Sequence, residues 1–355
     1  MVNHKQGLVY GGIDTHVDTH HVAVVDAHGR PLGDIQIPAT TVGYRTAVRF
    51  LQSWPGLAVV GVECTGSYGA AVTREITTAG MTVREVNRPN RFDRRNRGKT
   101  DTFDAYSAAE AVLSGRATAA PKGADGLVES MRVLRTTRSS AVKERTATIN
   151  QIKAMLIAGP ADLRTRYQGL SNSKLTTALA ASRPNRTPVT AAETTRYALR
   201  VLARRWLLLT EQILDLTTHL DRLLSEHAPD LMAVFGAGTD TIAQLLITAG
   251  GNPDRMRSES AFASLTGTCP IPASSGKTNR YRLNRAGDRQ ANSALYRIAI
   301  VRLRYDQATR DYVQRRMAEG KTKLEAIRCV KRYIARQTYP LICDTLQAPK
   351  EALIA

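Results

Sequence analysis

Two aspartates in the stretch KTDTFDA, Asp101 and Asp104, lie three residues apart. A helix that begins here places both on one face, with Thr100 as its N-cap and a glycine at the end of AYSAAEAVLSG. The preceding loop, RPNRFDRRNRGK, holds six basic residues and one acid. Carboxylates bind divalent cations and arginines bind phosphates, so the pairing predicts a metal-assisted phosphodiester site. The alternative is an acidic helix start, favoured by the helix dipole, beside a solvated basic loop.

The elements before this helix alternate between strand and helix patterns. LVYGGIDTH predicts a strand that ends near Asp14, and HHVAVVDAHGRPLGDIQI predicts two more strands in an antiparallel meander. A helix (VGYRTAVRFLQSW), a buried strand ending at Glu63 (AVVGVECTG), a helix closed by Gly80 and a fifth strand (TVREVN) follow. We therefore expect an α/β domain built on a mixed five-stranded sheet.

This order lets four acids converge. If the first and fourth strands are neighbours, Asp14 and Glu63 meet at one end of the sheet, where the helix that carries Asp101 and Asp104 can join them. Gathered carboxylates need a compensating cation, and oxygen ligands favour Mg²⁺ or Mn²⁺ over zinc.

Three histidines near the first strand offer a different metal site. In a continuous strand His16 and His20 would share a face with Asp14 and Asp18. We interpret these two and His21 as surface residues that flank a hairpin turn, because no matching ligand set follows in the sequence. GIDTH is also similar to the first phosphate loop of actin-like ATPases, but their second glycine-rich loop, of DxGGGT type, does not occur in the sequence.

Charge points to a polyanionic partner. The 355 residues carry a net charge of +19 with 43% hydrophobic residues, so the composition is that of a folded, strongly basic protein. Residues 1–120 have a net charge of +2 and the remainder has +17, so the second part supplies most of the electrostatic attraction. Nucleic acid is the first candidate for the partner.

Cysteine usage and hydropathy bound the cellular setting. Four scattered cysteines, at positions 64, 269, 329 and 343, form no CxxC pair, so they predict neither a zinc site nor a disulfide framework. The N-terminus lacks an apolar signal core, and no stretch is apolar for long enough to span a bilayer. We expect a cytoplasmic protein without a membrane partner.

A linker at 117–126, ATAAPKGADG, predicts a domain boundary, and a helix rich in arginine follows to residue 158. Farther on, apolar residues step alternately by three and four; they are Leu199, Leu202, Trp206, Leu209, Ile213, Leu216, Leu220 and Leu223. This heptad pattern favours a coiled coil. The seam can pair with the 127–158 helix of the same chain, or it can join protomers.

The C-terminal part holds a candidate nucleophile. LMAVFGAGTDTIAQLLITAGG is similar to a helix-hairpin-helix that binds backbone phosphates, although a plain helical packing unit fits equally well. ASSGKTN has the composition of an exposed loop, and eight basic residues and one acid occupy positions 277–304. Ser275, with Ser274 as second choice, is the candidate nucleophile; an ordinary turn serine is the alternative. The last helix, KLEAIRCVKRYIARQTY, is basic and amphipathic.

Motifs in both halves resemble one family. GID at 12–14, VECTGSY at 62–68 and KTDTFDA at 99–105 resemble the DEDD motifs of the insertion-sequence one-ten family of transposases. FASLTG, PIPASSGK and RAGDRQANSALY resemble that family's C-terminal serine domain and occur in the family's order. Thr15 and His16 after GID, together with Cys64 and Cys269, are modest departures.

The resemblance implies three domains. It implies an RNase H-like (RuvC-like) domain at 1–120, a helical coiled-coil segment at 121–228 and a mainly α-helical serine domain at 229–355. It also implies an enzyme, a site-specific DNA recombinase of a mobile element, guided by a structured bridge RNA that pairs with donor and target DNA. Such enzymes assemble from dimers into tetramers.

The resemblance also implies roles for residues. Asp14, Glu63, Asp101 and Asp104 would hold Mg²⁺ (or Mn²⁺) at the scissile phosphate, and Ser275 would attack it to form a phosphoserine–DNA link. The basic residues expected to bind nucleic acid are Arg88, Arg91, Arg94, Arg95, Arg97, Lys99, Lys277, Arg280, Arg282, Arg285 and Arg289.

Two other functions fit parts of the sequence. A RuvC-like junction-resolving nuclease would use water as its nucleophile and leave cut DNA without attached protein. A non-catalytic nucleic-acid-binding scaffold would need only the basic surface. The spaced acids argue against the scaffold, and the ASSGK loop with its family match argues against the simple nuclease.

Overall fold

The computed structural model describes residues 7–86, 100–121, 126–251, 256–274 and 280–347. These divide into two compact units. The first consists of described residues from 1–126 and 249–257, and the second of those from 127–248 and 258–355. The expected three-domain division, with boundaries after residues 120 and 228, stays a prediction.

A mixed sheet organises the first unit. Its strands lie in the order β3-β2-β1-β4-β5, with β1, β2 and β3 antiparallel and β1, β4 and β5 parallel. The strands and helices of this unit are β1 (Val9–Thr15), β2 (Thr19–Asp26), β3 (Pro31–Pro38), α1 (Thr41–Gln52), β4 (Leu57–Glu63), α2 (Ala70–Thr78), β5 (Val83–Val86) and α3 (Asp101–Leu113). The expected five-stranded mixed sheet and its initial meander are thus confirmed.

The two faces of the sheet pack differently. One face meets α1 and α2 through bulky side chains such as Ile13, Val62, Leu51 and Ile76, all fully buried. The other face lies under α3, where Tyr10 of β1 packs with residues of that helix. Because side chains alternate along a strand, residues next to Ile13 in β1 face α3.

The boundaries of α3 follow from its sequence. The Thr100 hydroxyl accepts a hydrogen bond from the Phe103 amide at 3.2 Å, so Thr100 is the predicted N-cap. The helix ends before Gly115, which has a φ of 72° and lets the chain turn away. Both expectations for this helix are confirmed, and its first turn carries Asp101 and Asp104.

The second unit is mainly helical. Its elements are α4 (Gly126–Ala158), α5 (Ala161–Tyr167), α6 (Asn172–Ala181), α7 (Ala191–His227), α8 (Pro229–Met232), α9 (Thr239–Ala249), α10 (Glu259–Leu265), β6 (Ile271–Pro272), β7 (Tyr281–Arg282), α11 (Arg289–Tyr305), α12 (Gln307–Ala318) and α13 (Lys323–Gln347). None of the helices within the described ranges has both the length and the apolar character needed to cross a membrane.

The long helices α4 and α7 run side by side in opposite directions. Arg138 Nε donates to Thr217 Oγ1 at 2.7 Å, whereas Ile152, later in α4, shares a core cluster with Leu199, early in α7. Four seam residues, Leu199, Leu209, Ile213 and Leu220, are buried. The structure thus buries much of the heptad seam within one chain, as the intramolecular alternative predicted. Self-association between protomers stays a prediction.

The segment that resembles a helix-hairpin-helix begins with a single helical turn, α8. Gly236, with a φ of 80°, lies in the turn between α8 and α9, and the Gly238 amide donates a hydrogen bond to Thr241 Oγ1 at 2.9 Å. The plain helical packing unit and phosphate binding by the hairpin amides both stay predictions.

Candidate metal centre and nucleic-acid interface

Two acids of the sheet are neighbours by strand register. Gly12 pairs with Gly61 and Ile13 with Val62 across the parallel pair β1–β4. The next residues in this register are Asp14 and Glu63, which therefore stand on the face covered by α3. Their residues are only 4% and 6% exposed. The carboxyl ends of two parallel strands thus present two buried acids to the same helix.

Glycines in both strands let α3 come within backbone contact of the sheet. A Cβ built on Gly12 would overlap the Ala105 carbonyl oxygen and the Ala109 amide nitrogen. A Cβ on Gly61 would come 2.6 Å from the Ala108 carbonyl oxygen. Small residues on both sides therefore fix how close α3 lies to the strands. This close packing brings the acidic first turn of α3 to the edge where Asp14 lies.

A third side chain, His16, joins the acids. Its Nε2 atom lies 3.0 Å from Asp14 Oδ2 and 3.2 Å from Asp101 Oδ1. The ligand atoms of these three residues all lie within 4.8 Å of one another, which is a spacing that one cation can bridge. The chemistry of the set, two carboxylates and one imidazole, fits Mg²⁺ or Mn²⁺, with the nitrogen favouring Mn²⁺.

Electrostatics agree with a cation site. Burial raises the pKa of Asp14; the imidazole of His16 opposes this rise, and the carboxylates of Asp104 and Asp101 add to it. Asp104 is itself only 4% exposed, while the Asp101 side chain is half exposed. Several acids thus crowd one buried carboxylate, and a divalent ion would relieve their mutual repulsion.

The chain turns sharply after Glu63. Cys64 has a φ of 50°, in the left-handed region that residues other than glycine rarely adopt. Its carbonyl oxygen accepts hydrogen bonds from the Ser67 and Gly69 amides at 2.9 and 3.1 Å. Thr15 Oγ1 also donates to the Glu63 carbonyl oxygen at 3.1 Å and ties β1 to β4 beside the acids. Strained backbone of this kind is common at functional sites.

A hydrogen-bonded set supports the site from the β2 side. His21 is the register partner of Asp14, and its Nε2 lies 2.7 Å from Asp34 Oδ2. The Tyr106 hydroxyl of α3 donates to Asp34 Oδ1 at 2.9 Å. Burial raises the pKa of Tyr106 to about 12, and Asp34 adds to this effect. These bonds hold α3 against the strand next to Asp14.

The surface interpretation is wrong for His20 and His21, which are buried, whereas the His16 side chain is 40% exposed. The chain turns between β1 and β2, so His16 folds back onto the acids, and His20 faces the opposite side of the sheet. His20 is 1% exposed and stacks on Tyr44 with ring centroids 5.6 Å apart. Burial lowers the pKa of His20. The sequence predicted the turn between these histidines, but its spacing could not show which of their side chains the folded sheet buries.

The four predicted acids therefore lie around one edge, but not equally close. Asp14 and Asp101 belong to the tight cluster with His16. Asp104 is near enough for its charge to raise the pKa of Asp14, and Glu63 occupies the adjacent strand end. Their roles as metal ligands stay predictions.

The predicted serine and the basic residues are only partly within the described ranges. Ser275, Arg88, Arg91, Arg94, Arg95, Arg97, Lys99 and Lys277 lie outside them. Ser274 is exposed in the second unit at the end of the β6–β7 hairpin, whose Ala273 amide donates to the Arg280 carbonyl oxygen at 2.8 Å. Arg285 and Arg289 are exposed, and Arg280 and Arg282 line a cavity of the same unit.

Two family models match this chain. A transposase model of the DEDD type named for IS110 matches residues 11–158, which include all four acids. A second model, described as transposase IS116/IS110/IS902 family, matches residues 228–314, which include the serine loop.

Two proteins of insertion elements are similar to it. One is an uncharacterized 42 kDa protein of IS900 from Mycobacterium paratuberculosis, 25% identical over 278 residues, which are 67% of this chain and 70% of the relative. The other is an uncharacterized 43.6 kDa protein of IS110 from Streptomyces coelicolor, 32% identical over 120 residues, which are 33% of this chain and 29% of the relative. With both models matched in order and both relatives encoded by insertion elements, the chain belongs to the IS110 family of insertion-sequence transposases, enzymes that cleave and transfer DNA strands.

Proposed function

We propose that this transposase is an RNA-guided site-specific recombinase. Asp14, Glu63, Asp101 and Asp104 hold Mg²⁺ or Mn²⁺ at the scissile phosphate, and Ser275 is the nucleophile. One observation carries the proposal. A carboxylate oxygen of Asp14, which is buried at the carboxyl end of the central strand β1, lies within 4.8 Å of ligand atoms of both His16 and Asp101. Buried acids do not gather at such an edge for stability alone.

The first unit acts as an RNase H-like (RuvC-like) metal domain in this proposal. When bound, the divalent ion polarises a phosphoryl oxygen and helps to activate the attacking hydroxyl. The chain's own part is to hold the carboxylates in place: α3 rests on Gly12 and Gly61, and the cap at Thr100 fixes its first turn. His16 serves as an additional ligand.

The cleavage step is a transesterification at phosphorus. The Ser275 hydroxyl oxygen forms a bond to phosphorus, the bond from phosphorus to one deoxyribose oxygen breaks, and the leaving oxygen takes up a proton. The hydroxyl proton passes to solvent or to a neighbouring base. The reverse reaction with the hydroxyl of another strand rejoins the DNA, so exchange through a Holliday junction needs no external energy source.

The net charge of residues 121–355 and the exposed leucines of α7 indicate which partners the protein binds. A net charge of +17 in residues 121–355 suits donor DNA, target DNA and a structured guide RNA. Leu208 and Leu214 of α7 are apolar side chains that are 54% and 70% exposed, and self-association into dimers and tetramers would cover such side chains. Assembly would join the acids of one protomer to the serine of another.

A junction-resolving nuclease is the second candidate. The acid cluster alone can support attack by water, and the serine is then a turn residue. The two functions differ in one product, a covalent protein–DNA adduct.

Denaturing gels distinguish them. Protein, Mg²⁺, guide RNA and labelled DNA from the element's ends are incubated and then denatured. We expect a labelled adduct with the wild-type protein and with Ser274→Ala, but not with Ser275→Ala. Cleavage without an adduct, unchanged in Ser275→Ala, would establish the nuclease instead. Binding of nucleic acid without cleavage of DNA would favour the non-catalytic scaffold.

A further inference from the structure

A cavity of about 550 Å³ opens in the second unit, and its walls are strongly cationic. Eight arginine and lysine side chains line it against two carboxylates. The cations are Arg280, Arg282, Arg316, Lys321, Arg328, Lys331, Arg332 and Arg336, and the acids are Glu319 and Glu325. A concave surface with this imbalance attracts an anion.

The two lining acids, and one acid nearby, are already neutralised. Glu319 lies 2.6 Å from Arg316, and Glu325 lies 3.5 Å from Arg328. Glu259 of α10 forms an ion pair with Arg332. In the described part of the chain, no carboxylate lies within 4.0 Å of the cationic nitrogens of Lys331, Arg282 or Lys321, which are left to face the cavity.

Lys331 is the unusual member of this set. It is 5% exposed, and its Nζ donates to Asn292 Oδ1 at 2.7 Å. Burial, with Arg328 nearby, lowers the pKa of Lys331. A buried ammonium beside an amide oxygen loses its hydration without gaining a counterion, which costs stability. Such a group is kept where an anionic ligand supplies the missing charge.

Asn292 holds this ammonium in place. Its Nδ2 donates to the carbonyl oxygens of Thr266 and Gly267 at 2.9 and 3.0 Å. Gly267 packs so tightly on Gly287 that a Cβ on Gly287 would overlap it. The loops of the FASLTG and RAGDRQAN motifs therefore meet at Asn292, and the amide that orients Lys331 cannot turn away. The site is built before any ligand arrives.

The rim adds aromatic rings. Tyr281 of β7 and Tyr333 of α13 line the cavity and are 55% and 64% exposed. Cationic walls with exposed aromatic rings are the composition of sites for unpaired nucleic-acid strands, where bases stack on the rings. Both residues of β7, Tyr281 and Arg282, line the cavity, and β7 is one strand of the hairpin that carries Ser274.

We propose that this cavity binds a backbone phosphate of an unpaired DNA strand, with Lys331 as the buried cation that contacts it and the two tyrosines as stacking surfaces. This proposal rests on the proposed function, since the strand held beside the serine hairpin is the DNA to be cut. An unpaired RNA strand is the alternative ligand of this cavity, and the test must distinguish it from DNA.

The test is binding of a labelled single-stranded DNA, and of RNA of the same sequence, by fluorescence anisotropy over a range of salt. Lys331→Met should weaken DNA binding about tenfold and reduce the slope of log affinity against log salt by about one. Lys331→Arg should restore binding, and Lys174→Met, at an exposed position of the same unit, should match the wild type.

A thermal melt accompanies each variant. Removal of a buried cation that lacks a counterion should keep or raise the melting temperature of Lys331→Met. If that variant nevertheless fails to fold, Arg282→Gln, an exposed change in the same cavity, should weaken DNA binding several-fold. Wild-type DNA affinity and salt slope in a folded Lys331→Met protein would overturn the proposal, as would a loss confined to RNA.

The cavity proposal and the recombinase proposal can fail independently of each other. If the wild-type protein gives the covalent adduct but Lys331→Met binds DNA normally, only the cavity proposal fails. If Lys331→Met loses DNA affinity but no protein cuts DNA, only the recombinase proposal fails.

Discussion

Gly12 of β1 lies in backbone contact with Ala105 of α3, so that a Cβ on Gly12 would overlap the Ala105 carbonyl oxygen. Gly12→Ala should therefore push α3 from the sheet, lower the free energy of unfolding by about 3 kcal/mol and weaken metal binding. Chemical denaturation and calorimetric titration with Mn²⁺ measure the two effects. Gly66→Ala, where a Cβ meets no atom within 4 Å, is the control. Equal stability of the two variants would contradict the packing described for α3.

His16 should act as a metal ligand because its Nε2 lies 3.0 and 3.2 Å from two carboxylates. His16→Ala should lower the affinity for Mn²⁺ roughly tenfold and that for Mg²⁺ less, since Mg²⁺ prefers oxygen ligands. Calorimetric titration with each ion compares the affinities, and His28→Ala, at an exposed turn position, serves as control. Unchanged affinity for both ions would remove His16 from the site.

Asp240 holds three arginines of the second unit together. Its carboxylate oxygens lie 3.2 Å from Arg135 Nε, 3.3 Å from Arg138 Nη1 and 2.8 Å from Arg297 Nη1. Asp240→Asn should lower the free energy of unfolding by about 2 kcal/mol at neutral pH, because crowded guanidinium groups lose their counterion. Asp215→Asn, at a side chain 68% exposed, should change it by less than about 0.5 kcal/mol.

The Asp240 effect should depend on pH with a definite sign. Burial would raise the pKa of Asp240, but Arg135, Arg297 and Arg138 outweigh it and hold the pKa below its usual value. A depressed pKa stabilises the folded state above the unfolded value of about 3.9 and loses that effect as pH falls through the folded value. Denaturation curves of wild type and Asp240→Asn should therefore converge below about pH 4; a constant gap would contradict this.

Two adjacent residues of α7 distinguish burial within the chain from self-association: Ile213 belongs to the heptad seam, and Leu214 lies outside it. Ile213 is 7% exposed and packs near Ala141, whereas Leu214 is 70% exposed. Ile213→Ala should cost about 3 kcal/mol of unfolding free energy, and Leu214→Ala less than about 0.5 kcal/mol. Light scattering then tests assembly: Leu214→Lys should dissociate oligomers that form through this helix. If both alanine variants lose stability equally, the intramolecular pairing of α4 and α7 is wrong.

Local sequence signals were sufficient to predict the secondary structure of much of the first unit. Alternating apolar residues fixed the strands, Thr100 fixed the start of α3, and the position of Asp14 and Glu63 at strand ends followed from the turns after them. The sequence did not predict the parallel pairing of β1 with β4, which brings these acids together. The pairing was an assumption on which the convergence of Asp14 and Glu63 depended. In the structure the two strands are paired, and α3 rests on a glycine of each.

The other features of the two sites depend on tertiary packing, which the sequence pattern did not predict. His16 joins the acids because the chain turns immediately after β1. The sequence predicted this strand end near Asp14, but it did not show which way the His16 side chain lies in the turn. Lys331 and Asn292 are 39 residues apart and meet because α13 packs on α11. In the sequence, Lys331 is one basic residue of an amphipathic helix, and its burial could not be distinguished from that of its neighbours.

The acids around Asp14 should hold the divalent ion used for strand cleavage. Mn²⁺ binding, followed by the loss of the free-ion signal in electron paramagnetic resonance, tests this most directly in wild type, Asp14→Asn and Glu63→Gln. Asp18→Asn, an exposed acid in the adjacent turn, is the matched control. We expect both site variants to bind Mn²⁺ at least about tenfold more weakly and to lose DNA cleavage while still binding DNA. Wild-type Mn²⁺ affinity, or retained cleavage, in both variants would contradict the account.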